Sequence, residues 1–274
     1  MNVTIFPDGD QLSHAAARYV VQVANEALAA HGRFTIALSG GSTPKKLYGL
    51  LALEPYRNQI DWTKAEVFWG DERCVPPDDA ESNYHLAYEV MLSKLPIPAG
   101  QIHRMPADEN DRVAASAAYE EELRRVFGTD GVPSFDLIQL GLGPEAHTAS
   151  LFPHQASLRE TEMRLKSIHP LQNGVCPQHP QGALGPYANA FQRLVIPVTV
   201  PKPPPARLTL TPPVLNAAKH ILFLVTGAEK ADAVRAVLEG DYQPEEYPAQ
   251  IVHPTQGEVT WMLDTAAASK LHQR

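Results

Sequence analysis

Short runs of β-branched and aromatic residues alternate along this chain with longer segments whose apolar positions recur every three or four residues. That rhythm predicts a mostly parallel sheet packed between helices, because strands buried on both faces read as continuous apolar runs while surface helices bury one stripe. Strands are expected at Val3 to Phe6, Arg33 to Leu38, Glu66 to Trp69, Phe135 to Leu140, His220 to Thr226 and Glu258 to Leu263. Helices are expected at about Asp10 to Ala30, Pro44 to Leu53, Ser82 to Leu92, Asp111 to Phe127, Pro212 to Ala218 and Glu229 to Leu238. The fold class is therefore α/β, a doubly wound, Rossmann-like sheet with helices on both faces, and such sheets bind ligands beyond the carboxyl ends of their strands. Between Leu165 and Gln192 the rhythm fails: the chain is rich in Pro, Gly, Gln and His and follows neither period, so a surface excursion is expected there.

With 274 residues and 44% hydrophobic content, the chain suits one sizeable domain over 1–274. A formal net charge of -8 argues against a nucleic-acid or anionic-membrane partner, which would need a basic patch. A small anionic substrate remains compatible if a few cations converge locally. Two cysteines, Cys74 and Cys176, fit no disulfide or metal framework, and Cys176-x-x-His179 lacks the second ligand pair that tetrahedral zinc needs. Metal binding there is therefore not expected. The first residues show no basic segment followed by an apolar core, and no apolar run reaches the length of a membrane span. A cytoplasmic protein with reduced thiols, a monomer or weak homo-oligomer, is the expectation.

Four segments carry candidate chemistry. In Phe135-Asp-Leu-Ile-Gln-Leu-Gly-Leu-Gly143-Pro-Glu145-Ala-His147, an apolar strand meets a glycine turn that delivers a histidine to the strand's carboxyl end. A neutral imidazole there suits a general base, and Glu145 stands where it can hydrogen-bond the ring and hold its tautomer. In Ser39-Gly40-Gly41-Ser42-Thr43-Pro44, a strand feeds two glycines and then a helix start, with Thr43 suited to cap and Pro44 to the first helical position. The helix end would offer N–H groups and a positive dipole to an anion, or the segment is only a tight capped turn. It is neither a Walker A loop nor a dinucleotide loop. In Gly70-Asp71-Glu72-Arg73, charges directly follow an apolar strand: Arg73 can clamp a phosphate and Asp71 can orient hydroxyls or water, or the cluster is a salt bridge that holds the turn. Finally, Pro201-Lys202-Pro-Pro-Pro205-Ala-Arg207 is a stiff extended segment that presents two cations, or else a connector with incidental charges.

Taken in this order, Ser39 to Pro44, Gly70 to Pro77 with Ser82-Asn-Tyr84, Gly141 to Pro153, Pro201 to Leu210 and Leu222 to Lys230 resemble the 6-phosphogluconolactonase family, related by fold to glucosamine-6-phosphate isomerase/deaminase. The resemblance implies hydrolysis of the δ-lactone of 6-phosphogluconate in the oxidative pentose phosphate pathway, without metal or cofactor. It implies that Gly40 to Thr43, Arg73, Lys202 and Arg207 hold phosphate and sugar oxygens, with His147 as base. Ser39 and Gly143 complete the expected binding set, and amides around Gly141 to Gly143 or Arg73 would meet the oxyanion. An acyl-enzyme through Ser39 or Ser150 is less suited, because neither lies in a Gly-x-Ser-x-Gly elbow. The related isomerases continue their histidine motif into Ala-Phe-Asn-Glu-Pro, whereas Thr148-Ala-Ser-Leu-Phe-Pro153 follows here.

This chain departs from the family pattern where Glu145-Ala146 replaces Asp-Gly, and in its Leu165 to Gln192 excursion. The longer side chain moves the carboxylate by up to about 1.5 Å. Alanine in place of glycine costs about 1 kcal/mol if the position needs φ > 0. A non-catalytic sugar-phosphate binder and an isomerase or deaminase are the alternatives to a lactonase.

Overall fold

In the computed structural model, which describes residues 1–155 and 193–272, the chain forms a six-stranded sheet and a separate three-stranded sheet, linked through Gly70, whose N–H donates to Leu38 O and whose carbonyl accepts from Leu210 N–H. The large sheet contains β1 (Asn2–Phe6), β2 (Phe34–Leu38), β3 (Ala65–Trp69), β5 (Leu137–Leu140), β8 (His220–Val225) and β9 (Glu258–Asp264) in the order β1-β9-β8-β5-β2-β3. Every pairing in it is parallel. The small sheet is antiparallel and consists of β4 (Asp71–Arg73), β7 (Ala206–Leu210) and β6 (Val195–Thr199). The helices are α1 (Gly9–His31), α2 (Ser42–Leu51), α3 (Asn83–Val90), α4 (Arg112–Phe127), α5 (Pro212–Asn216) and α6 (Ala231–Glu239).

Alternation along the strands divides the core in two. Ile221, Phe223 and Val225 of β8 pack with α4, α5, α6 and the small sheet, while Leu222 and Leu224 pack with α1, α2 and α3. Helices thus cover both faces, as continuous apolar strands require. Helix α1 buries Leu12, Ala16, Val20, Ala24 and Ala27, spaced at three and four residues, starts on the Asp8 side-chain cap and stops at Gly32 in the left-handed region. Parallel strand β2 lies between β3, next in chain order, and β5, which arrives from the other side. The direction of winding therefore reverses at the β2–β5 boundary, where a crevice opens at the carboxyl ends.

The six expected strands and six expected helices all form, with bounds shifted by a few residues; Phe135 and Asp136 precede β5, and α6 starts at Ala231 after a single 3-10 turn over Ala228–Lys230. The small antiparallel sheet is an addition to the sequence reading. Its β4 has three residues, all charged, and its β7 emerges directly from the proline run. The Leu165 to Gln192 excursion, with His169, Cys176 and His179, lies outside the described residues. Among the described residues, no helix is long and apolar enough to cross a membrane.

Candidate active site

Four strand ends converge on one cleft. Its walls include Ser39 to Pro44 after β2, Asp71, Arg73 and Asn83, Gly141 to Gly143 and His147 after β5, Thr226 and Lys230 after β8, and Lys202 and Arg207 from the small sheet. Of the residues expected to bind substrate or take part in catalysis, all line this cleft except Glu145, which stands beside His147.

The glycine turn exists to seat the imidazole. The Ala146 N–H donates to Gly143 O, and the Gly143 N–H donates to His147 O, both at 2.9 Å, which folds the turn back under the histidine. A Cβ on Gly143 would lie 1.9 Å from His147 Nδ1, so only glycine lets the ring sit on the backbone there. On its other constraint, the ring stacks on buried Phe152 with centroids 3.9 Å apart and 12° between planes. Nδ1 is enclosed, with Glu145 Oε2 3.3 Å away but off the line of a hydrogen bond. Glu145 is thus a charge partner of the ring and not the aligned tautomer holder expected from the sequence. Packing sets the ring's orientation, and Nε2 is the nitrogen left to the cleft. The neighbouring His147 ring, opposed by burial and helped weakly by the charge of Lys202, holds the Glu145 carboxyl down at about 2.

Ala146 has φ +59°, so the replacement of glycine places an L-residue in the left-handed region. Strain of about 1 kcal/mol opposes burial of its methyl group, worth about 0.8 kcal/mol. These terms nearly cancel. Ala146→Gly is expected to shift stability by less than about 1 kcal/mol in urea unfolding; a loss of several would mean that the methyl group packs more critically than its size suggests.

The phosphate-loop candidate is a bare helix end. Gly41, at φ +111°, is the residue before α2, and no side chain caps it. Thr43 does not cap, contrary to the expectation; its hydroxyl pairs with that of Thr226 at 2.7 Å and ties α2 to the end of β8. Pro44 is accordingly the third helical residue and not the first. The Ser42 and Thr43 N–H groups precede the first helical bond, Lys45 N–H to Gly41 O, and face a cleft. Ser39 forms wall but offers little to a ligand, since its hydroxyl and amide both donate to Gln139 Oε1 of β5.

Register explains the cations. Antiparallel pairing sets Arg73 directly opposite Arg207, and Asp71 directly opposite Thr209, so all four side chains share one face of the small sheet. Buried Arg207 donates to Pro204 O at 3.0 Å and Lys202 O at 3.4 Å, so the proline segment aims it. Burial, then the nearby Arg73 charge, lowers its pKa, while Asp71 Oδ2 at 3.9 Å opposes that shift. Two facing guanidiniums repel, and an anion between them removes the penalty.

Two cleft residues lie in segments that carry the resemblance but have no role assigned from the sequence. Lys230 lines the cleft; burial, opposed by Glu229, lowers its pKa, and Lys202 lowers it further. Asn83, first residue of α3, donates through Nδ2 to Asp71 O at 2.9 Å, and its Oδ1 presses on Gly40, where a Cβ would clash at 1.8 Å. Glu72 anchors both sides of this corner by accepting from the amides of Arg73, Asn83 and Tyr84 at 2.7 to 2.8 Å. Burial raises its pKa, and those donors oppose the rise. An acidic residue immediately before Arg73, with Ser82 at a helix start downstream, is the signal that could have found this anchor. Among the described residues, no group of His, Cys, Asp and Glu is arranged to hold a metal ion.

The chain matches the family described as glucosamine-6-phosphate isomerases/6-phosphogluconolactonase over residues 7–175 and 175–261. It is 37% identical to a probable chloroplastic 6-phosphogluconolactonase 3 of Oryza sativa subsp. indica, across 97% of this chain and 75% of that protein. It is 35% identical to a 6-phosphogluconolactonase of Nostoc sp., across 98% of each. A solved 6-phosphogluconolactonase from Trypanosoma cruzi superposes with a TM-score of 0.78 at 29% identity, covering 99% of this chain and 97% of that one.

Proposed function

This chain belongs to the glucosamine-6-phosphate isomerase/6-phosphogluconolactonase family, and from that premise we propose that it hydrolyses 6-phospho-D-glucono-1,5-lactone to 6-phosphogluconate. The reading is carried by one cleft that, among the described residues, holds a single imidazole together with Arg73, Arg207, Lys202 and Lys230 in a chain whose net charge is -8. The cations and the bare end of α2 take the phosphate and sugar oxygens, and the imidazole serves the lactone.

A lactone carbonyl is already electrophilic, so an activated water suffices. His147 Nε2 takes a proton from water as the water oxygen bonds to C1. The C1–ring oxygen bond then breaks, and the imidazolium returns its proton to the departing ring oxygen. The Gly143 N–H is committed to His147 O, so the oxyanion falls to Arg73 and the amides of Gly141 and Leu142. Ser150 takes no covalent role in this scheme: it is fully buried and its hydroxyl is given to Asp71.

The test is a pH-stat measurement of hydrolysis above the spontaneous rate, run beside ammonia release from glucosamine 6-phosphate. Acceleration of the first and none of the second is expected. Binding of 6-phosphogluconate without acceleration would favour a binder instead.

Glu145 gives a pH test. Its folded value, about 2, lies below the ordinary 4.5, so its stabilising charge is complete above that ordinary value and disappears as pH falls through the folded one. The stability gap between wild type and Glu145→Gln should therefore close on acidification toward pH ~2. Because the pair is partly exposed, it is worth at most about 1 kcal/mol, and Glu145→Gln should lower kcat about fivefold or less. A gap independent of pH would contradict the pairing.

A further inference from the structure

The histidine stands on the loop after β5 of the large sheet and the arginines on the small sheet, and the tie between them passes through a residue outside the cleft lining. We propose that Ser150 is a positioning residue that sets the spacing between the His147 imidazole and the Arg207 guanidinium. Ser150 has 0% exposure. Its hydroxyl donates to Asp71 Oδ2 at 2.5 Å, on β4, and its amide donates to Thr209 Oγ1 at 3.2 Å, on β7. An O–H donor on a carboxylate at that distance is among the strong hydrogen bonds. Three residues earlier on the same loop stands His147; two residues later stands Phe152, on which His147 stacks and over which the Arg207 guanidinium lies at 5.8 Å.

The backbone supports the assignment independently. Ala149 has φ +46° in a tight turn whose ends pair as Thr148 with Leu151. An alanine held in the left-handed region is retained where surrounding contacts over-determine it. Here the turn aims Ser150 inward, at the two arginine-bearing strands β4 and β7. Asp71 meanwhile keeps its place through Asn83 Nδ2 at 3.3 Å and Arg207 Nη1 at 3.9 Å. Without the Ser150 hydroxyl, Asp71 Oδ2 keeps, among the described residues, only the distant guanidinium, and the histidine loop loses this bond to β4.

For its kinetic arm the inference rests on the lactonase reading; for its structural arm it does not. Ser150→Ala should lower kcat for the phosphorylated lactone about 10- to 100-fold, the scale of a displacement near 1 Å. KM and inhibition by inorganic phosphate should stay within about threefold, since the cations stand on segments other than the histidine loop. Thr209→Val should show the same split, and Thr209→Ser, which keeps the hydroxyl, should recover most of the loss. A crystal structure of Ser150→Ala should show His147 displaced relative to Arg207. If wild type fails to accelerate hydrolysis, the proposed function falls, and the crystal structure still decides the spacing. An unmoved imidazole, a kcat within twofold of wild type, or a loss confined to KM would overturn the proposal.

Discussion

His147→Ala is expected to lower kcat for 6-phosphogluconolactone hydrolysis by about 10²- to 10⁴-fold, the range that a positioned general base contributes. Affinity for 6-phosphogluconate should change little, because the four cations of the cleft lie on other segments. The variant also removes the partner of Phe152, which is 0% exposed, so a lowered Tm is expected along with the rate loss. His147→Gln, which refills much of that space without a basic nitrogen, separates the two effects: its Tm should recover and its rate should not. A variant that kept a tenth or more of wild-type kcat would show that another group activates the water.

Arg207→Met is expected to weaken binding of phosphorylated ligands 10- to 100-fold, since hydrogen bonds to charged groups contribute about 1.5–3 kcal/mol. It should also cost about 2 kcal/mol of stability. Asp71, 5% exposed, would lose its cation but keep its bonds from Ser150 and Asn83, which keeps the cost below that of a fully orphaned charge. The double variant Asp71→Asn with Arg207→Met should regain stability while ligand affinity stays low. Lys202, at the exposed mouth of the cleft, should matter less when replaced by alanine. Calorimetric titration with 6-phosphogluconate beside urea unfolding reads both effects; an Arg207→Met protein that bound as tightly as wild type would remove Arg207 from the ligand site.

The parts of this site that can be read in the sequence are those whose geometry is local. A strand that stops at Gly141 and Gly143 must turn, and the turn carries His147 to the strand end; a strand that runs into Gly40-Gly41 must open a helix there. The parts that stayed hidden depend on partners distant in sequence. Three charged residues over Asp71–Arg73 look like loop until β7 arrives to pair with them, and only that register shows that Arg73 and Arg207 face each other. Thr43 has the local context of a cap, and nothing local shows Thr226 competing for its hydroxyl at 2.7 Å. Likewise Glu145 has the chemistry of a tautomer holder, and only the placed ring shows the misaligned hydrogen bond. Gln139 interrupts the apolar run of β5; its role in fastening Ser39 across the β2–β5 boundary emerges from the sheet order.

Hydrolysis in this cleft requires one molecule to span imidazole and cations together, and a crystal structure with 6-phosphogluconate bound tests that span directly. The predicted result places the phosphate on the start of α2 and the cationic residues, with the C1 carboxylate within hydrogen-bond distance of His147 Nε2. A phosphate bound elsewhere, or a C1 carboxylate turned away from the imidazole with the phosphate in place, would contradict it.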